Sequence, residues 1–176
     1  VKVEVKNKTD GVTRLAWERL YQGTESEYLH GLTLAGDGSL IRVRVTPSAD
    51  GSKLYRQRVT NPGSQSDFSA WTYTSQYNCL AVAVAAYGAE VSIFWINNNR
   101  EIRRLKSTNY GASWNSPELL DYSASANVHG LTAAYKSNGD MALFFADQTT
   151  IYIKKCVAGI WQTKSAWNKS TGTLSS

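Results

Sequence analysis

The sequence predicts an all-β protein, a β-propeller-like repeat of four-stranded antiparallel blades with about three and a half blades in the chain. Three observations predict it. Two segments, "HGLTLAGDGSLIRVRV" from His30 and "HGLTAAYKSNGDMALFFA" from His129, share His-Gly-Leu-Thr, an apolar run, a glycine-containing turn and a second apolar run. Gly31 and Gly130 stand 99 positions apart, and "LAVAVAAYGAEVSIFWI" from Leu80 has the same layout between them. The unit is therefore about 49 to 50 residues, near the length of a propeller blade. The tripeptide "SAW" recurs at Ser69 to Trp71 and Ser165 to Trp167, 96 positions apart, again two units.

The elements follow in order. "VKVEVKN" and "TRLAWERLY" flank "KTDGV" and resemble the last two strands of a preceding unit, a partial blade over 1–22. The first full blade is expected over 28–76, with strands 30–35, 40–45, 53–59 and 70–75. The second spans 77–126 with strands 80–86, 91–96, 101–106 and 118–122, and the third spans 127–168 with strands 130–135, 141–146, 151–155 and 161–167. The single repeat domain thus covers 1–168, and 169–176 is a Ser/Thr-rich tail. Within 53–59, alternation points Leu54, Arg56 and Arg58 one way and Tyr55, Gln57 and Val59 the other. No stretch sustains a helical apolar period, and Val, Thr, Tyr, Trp and Ile abound, as strands prefer.

A twisted four-stranded sheet buries its faces only against neighbouring sheets, and propellers close with ~4 to 8 blades. The chain is therefore expected to be completed by the remainder of a longer chain or by a homo-oligomer, an unusually small closed ring being the other option. The composition, 176 residues with 42% hydrophobic and 19% charged, is that of a globular domain. No apolar run approaches the ~20 residues of a membrane span. The net charge of +5 is a mild bias toward anionic partners. Arg56, Arg58, Arg103, Arg104, Lys106, Lys154 and Lys155 concentrate on third strands, which reads as a solvated outer surface more readily than as a nucleic-acid interface. Cys79 and Cys156 fall in separate strands and read as free, buried thiols. Two thiols without further ligands make no metal pattern, and no cofactor motif is present.

The segment "STNYGASW", Ser107 to Trp114, joins the third and fourth strands of the second blade. Its spacing resembles the Asp-box β-propellers, the bacterial-neuraminidase-repeat family that includes sialidases and many non-catalytic relatives. Ser107, Gly111, Ser113 and Trp114 match the family's box, while Asn109 stands where the family has Asp. Each residue type has a use in a turn: an Asx side chain bonds nearby amides, glycine accepts a positive φ, and Trp closes the turn against the blade. The resemblance implies a structural turn on the face opposite the ligand site.

It also implies what an active member would carry: an early Tyr/Phe-Arg-Ile-Pro segment, three arginines, a Tyr-Glu pair and an acid/base Asp. The first is absent, and Arg42 and Arg44 in "SLIRVRV" share one strand face. No pair of carboxylates is marked for glycosidase chemistry. His30 and His129 occupy equivalent repeat positions, which architecture explains without catalysis. No catalytic residue is assigned, and whether the chain is an enzyme stays open, with the balance against it.

On this layout the connections between blades and between second and third strands share one face. Its ligand-contact candidates are Tyr28, His30, Tyr77, Asn78, Asn97, Asn98, Asn99, Arg100, Asn127, His129, Asp147 and Gln148, aromatics and amides suited to sugar rings and hydroxyls. The leading expectation is a non-enzymatic recognition module for glycan or protein, of extracellular, cell-surface or virion setting. An assembly component of a virion, phage-tail-like, or of a large surface protein, and a fragment of a sialidase-like glycoside hydrolase, are the alternatives.

Overall fold

The computed structural model describes residues 3–6, 13–17, 29–60, 62, 68, 70–123, 130–146 and 150–167, and every regular element among them is a strand. The expected strand-flanking turn "KTDGV", the tail 169–176 and the candidates Tyr28, Asn127, His129, Asp147 and Gln148 lie outside the described residues.

β1 (Val3–Lys6) and β2 (Thr13–Trp17) form an antiparallel pair. β3 (Leu29–Leu34), β4 (Leu40–Thr46), β5 (Lys53–Val59) and β6 (Thr72–Tyr77) make the first four-stranded sheet, each strand beside the next in sequence. β7 (Cys79–Tyr87), β8 (Glu90–Asn97), β9 (Glu101–Ser107) and β10 (Glu118–Tyr122) make the second. The third contains β11 (Gly130–Tyr135), β12 (Met141–Ala146) and β13 (Ile151–Val157), and β14 (Ile160–Trp161) and β15 (Ser165–Ala166) both pair with β13. All the ladders are antiparallel meanders, the blade architecture the repeat predicts.

The last strand differs from the single run expected over 161–167. Cys156 pairs with Trp161 and Ile153 with Ser165, so three residues oppose two and a β-bulge splits the strand. Lys164, inside the bulge, turns toward the second blade and donates from Nζ to Asp121 Oδ1 at 3.0 Å.

The second blade sits between the other two, and its sequence shows it. β8, "EVSIFWIN", has six consecutive buried residues and no polar alternation, because both faces are covered. Ile93 and Trp95 join Val82 and Leu105 against Val43, Val45 and Leu54 of the first blade. Phe94 and Ile96 join Ala81, Ala83 and Ile102 against Met141, Leu143 and Phe145 of the third. Each fully buried side chain of this size contributes roughly 1.5–3 kcal/mol. β3 and β11 both pack against β7, so the first strands of the three blades lie side by side. At one end the β3–β4 turn meets the β7–β8 turn. The Gly36 amide donates to Gly88 O at 2.7 Å, and a Cβ on Gly36 would stand 2.8 Å from Gly88 Cα.

The basic third strands depart from expectation. Arg104 and Lys154 are buried, and Arg56, Arg58, Arg103 and Lys106 are half-buried, with only Lys155 of the group exposed. The face of a third strand is an interface between blades, where Lys154 Nζ donates to Asp121 Oδ2 at 3.0 Å and to Gln162 O at 2.8 Å. Cys79 and Cys156 are free and buried. Burial pushes the Cys79 thiol up to about 12, which leaves it unreactive at neutral pH.

Candidate functional site

The first and second blades are joined by Asn78 alone, between Tyr77 at the end of β6 and Cys79 at the start of β7. Reversing direction in one residue requires left-handed backbone, and Asn78 has φ 55°, a conformation asparagine tolerates better than most residues. Its carbonyl accepts the Asn98 amide at 3.0 Å, and the Cys79 amide donates to Ser52 O at 3.3 Å. The β4–β5 loop, the blade connector and the β8–β9 hairpin are thus tied together at one end of the molecule. Gly51 completes the contact: at φ 99°, it passes so close that a Cβ there would sit 2.0 Å from Asn78 Oδ1.

The β8–β9 hairpin is built by Asn97. Its Oδ1 accepts the amides of Asn99 at 3.1 Å and Glu101 at 3.0 Å, and its Nδ2 donates to Glu101 Oε2 at 2.7 Å. The Arg100 amide closes the turn onto Asn97 O at 2.9 Å, with Arg100 itself left-handed at φ 65°. This is the position of a three-residue hairpin loop that glycine usually fills. Arg103 Nε donates to Glu101 Oε2 at 2.8 Å. The Arg103 guanidinium and then the Asn97 amide hold the Glu101 carboxyl below the usual carboxylate range.

Between connector and hairpin opens a cleft of about 460 Å³, walled by Gln76, Tyr77 and Asn78 from the first blade and by Asn97, Asn98, Asn99, Glu101 and Arg103 from the second. Tyr77 is 59% exposed and offers its ring to solvent. The cleft therefore combines an aromatic face, five amide side chains and one charged pair. Of the residues expected on this face, it brings together Tyr77, Asn78, Asn97, Asn98 and Asn99. Arg100 is exposed outside the lining, its carbonyl accepting the Ser123 amide at 2.8 Å. His30 lies exposed on β3, opposite Arg44 in register, and is not part of the cleft's lining. Gln76, Glu101 and Arg103 were not among the sequence candidates. Glu101 and Arg103 sit inside a strand, and their i, i+2 spacing beside a three-Asn turn is the signal that marks them. Arg42 and Arg44 do not join the cleft; both lie over the Trp71 ring, at 4.9 and 4.5 Å.

The turn from Ser107 to Trp114 lies at the other end of β9, about 20 Å away for seven residues of strand. Ser107 Oγ accepts the Gly111 amide at 2.9 Å and donates to Asn109 Oδ1 at 2.9 Å. Asn109 Oδ1 also accepts the Ser113 amide at 2.9 Å, and Trp114 Nε1 donates to Gly111 O at 3.0 Å. Trp114 then packs against Val and Ile side chains of both the first and second blades.

The fold is that of a sialidase-like β-propeller. The chain is similar to the crystal structure of AofleA from Arthrobotrys oligospora, with TM-score 0.52 and 11% identity over 94% of this chain and 49% of that one. It is similar to the subtype N11 neuraminidase-like protein of a flat-faced bat isolate from Peru, with TM-score 0.55 and 9% identity over 85% and 44% of the two chains. Trypanosoma rangeli sialidase in complex with the inhibitor DANA matches with TM-score 0.50 and 13% identity over 93% of this chain and 34% of that one. The chain thus spans about half or less of the structures it resembles. No protein-family model matches it, and no curated protein does.

Proposed function

We propose that the chain is a recognition segment of a propeller, non-enzymatic, which binds glycan or protein through the cleft between Asn78 and the Asn97–Arg103 hairpin. The observation that carries this reading is the makeup of the cleft. An exposed tyrosine ring stands beside the amide side chains of Asn98 and Asn99 and a preset carboxylate–guanidinium pair, an arrangement that stacks on a sugar face and satisfies hydroxyl groups. The carboxylate lining the cleft is Glu101, already engaged by Arg103 and Asn97, whereas glycoside hydrolysis uses two carboxylates ~5 to 9.5 Å apart. That favours binding over turnover. The Ser107–Trp114 turn supports an Asp-box repeat with Asn in place of Asp, because Asn109 makes its amide contacts without a charge. On this reading the blades extend over 28–76, 77–126 and 127–168, and a longer chain or further copies complete the ring.

Asn97 is a poor probe because its side chain builds the hairpin. Tyr77→Ala and Asn98→Ala are better, and a glycan array with the purified chain is the assay. Binding to a saccharide class that both substitutions weaken at least tenfold supports the reading. Binding indifferent to both, or turnover of fluorogenic sialosides, overturns it.

A further inference from the structure

The two interfaces between described blades share an arginine laid over a tryptophan of the next blade and differ in what stands opposite the arginine. Arg104 on β9 lies over the Trp161 ring of the third blade, Cζ 5.3 Å from the centroid, and its Nε donates to Glu118, the residue opposite it on β10. One repeat earlier, Arg56 on β5 lies over the Trp114 ring of the second blade at 5.4 Å. The residue opposite Arg56 on β6 is Thr72. Where one interface places a carboxylate, the other places a hydroxyl.

The consequence is a half-buried guanidinium that no carboxylate pairs with among the described residues. Its neighbour Arg58 is already neutralised, donating from Nη2 to Asp37 Oδ2 at 2.8 Å and from Nε to Tyr110 O at 2.8 Å. A pocket of about 290 Å³ opens at this point, lined by Arg56, Arg58, Thr72, Gly111 and Trp114 among others. It lies at the Ser107–Trp114 end of the blades, opposite the cleft. A charge partly removed from water without a partner is unfavourable, and burial lowers the Arg56 pKa without discharging a group this basic.

We propose that this pocket binds a small oxyanion, a carboxylate, sulfate or phosphate group, seated on the Arg56 guanidinium where Glu118 sits in the next interface. Two parallel guanidinium N–H groups match two anion oxygens, and the Thr72 hydroxyl supplies a further donor. The pocket is separate from the cleft, so the two readings stand or fall independently.

The test follows the arginine Nε–Hε resonances of the 15N-labelled chain at constant ionic strength. Sodium sulfate and inorganic phosphate are titrated against glucuronate and glucose 6-sulfate, with chloride and glucose as controls. A saturable shift of the Arg56 signal is expected with the oxyanions; Arg56→Lys removes that signal, and isothermal titration calorimetry should read binding at least tenfold weaker in it. Thr72→Glu installs the missing carboxylate and abolishes binding while Arg56 remains. Glu118→Thr creates a second saturable site at Arg104. Tighter binding of the saccharide anions assigns the source to a glycan, and equal affinities assign it to the free ion. A shift matched by chloride or glucose, no saturation, or a response unchanged in a folded Thr72→Glu variant overturns the proposal.

Discussion

Replacing Ser107 by alanine isolates the energetics of the turn at the far end of β9. Ser107 is 1% exposed, and its Oγ accepts the amides of Gly111 at 2.9 Å and Asn109 at 3.3 Å while donating to Asn109 Oδ1. Alanine leaves the buried Gly111 amide with no acceptor, which costs roughly 1–3 kcal/mol, and the longer Asn109 bond adds about 0.5 kcal/mol. The expected loss is about 1.5–3.5 kcal/mol, or roughly 3–14 °C in Tm for a chain of this length. Urea unfolding followed by tryptophan fluorescence measures it, with the m-value checked for constancy. Asn109→Asp is the control. It keeps the acceptor for the Ser113 amide and exchanges only the Nδ2 contact to Ser113 Oγ, so a change within about 0.5 kcal/mol is expected. A Ser107→Ala cost below about 0.5 kcal/mol, or an Asn109→Asp cost equal to it, refutes the reasoning.

Three further outcomes are expected. Gly51→Ala drives a Cβ into Asn78 at a positive φ, costing roughly 1–3 kcal/mol in thermal unfolding and weakening any ligand held in the cleft through displacement of Asn78. Arg100→Gly relieves left-handed strain against a gain in unfolded-chain entropy, so the unfolding free energy from denaturant titration should be unchanged or raised by up to about 1 kcal/mol. Asp121 gives the pH dependence. Burial alone would raise its carboxyl, but the Tyr122 amide with Lys164 and Lys154 outweighs burial and holds it below the usual range. A depressed folded pKa contributes stability that is complete above about 4 and lost as pH falls through the lowered value. Asp121→Asn should therefore cost about 3 kcal/mol at pH 7 by stranding buried Lys154, a difference that shrinks in acid unfolding below pH 4.

Much of the blade pattern was legible because period and turn chemistry agree. β5, β10, β11 and β12 run over the residues the repeat predicts, and β8 reads as a continuous apolar strand because two faces are buried. The bulge in the last strand was not legible, since it arises from Lys164 reaching Asp121 in another blade. Within the cleft, Asn78 and Asn97 to Asn99 stood out as loop amides. Glu101 and Arg103 were hidden by their strand, where charge alternation reads as solvent exposure. Arg104 and Lys154 failed for the same reason: local sequence gives the side a residue faces but not whether another sheet covers that side.

The connector of a single residue between the first two blades has a mechanical consequence. Cleft walls from separate sheets usually imply a hinge, but here the one-residue connector is tied at Asn78 to Asn98 and at Cys79 to Ser52, which opposes swinging of one wall against the other. The cleft is a fixed-jaw gauge rather than a closing hand. On the proposed binding role, little conformational entropy would be lost on capture, and selectivity would fall to the size and polarity of what enters, not to an adaptive fit.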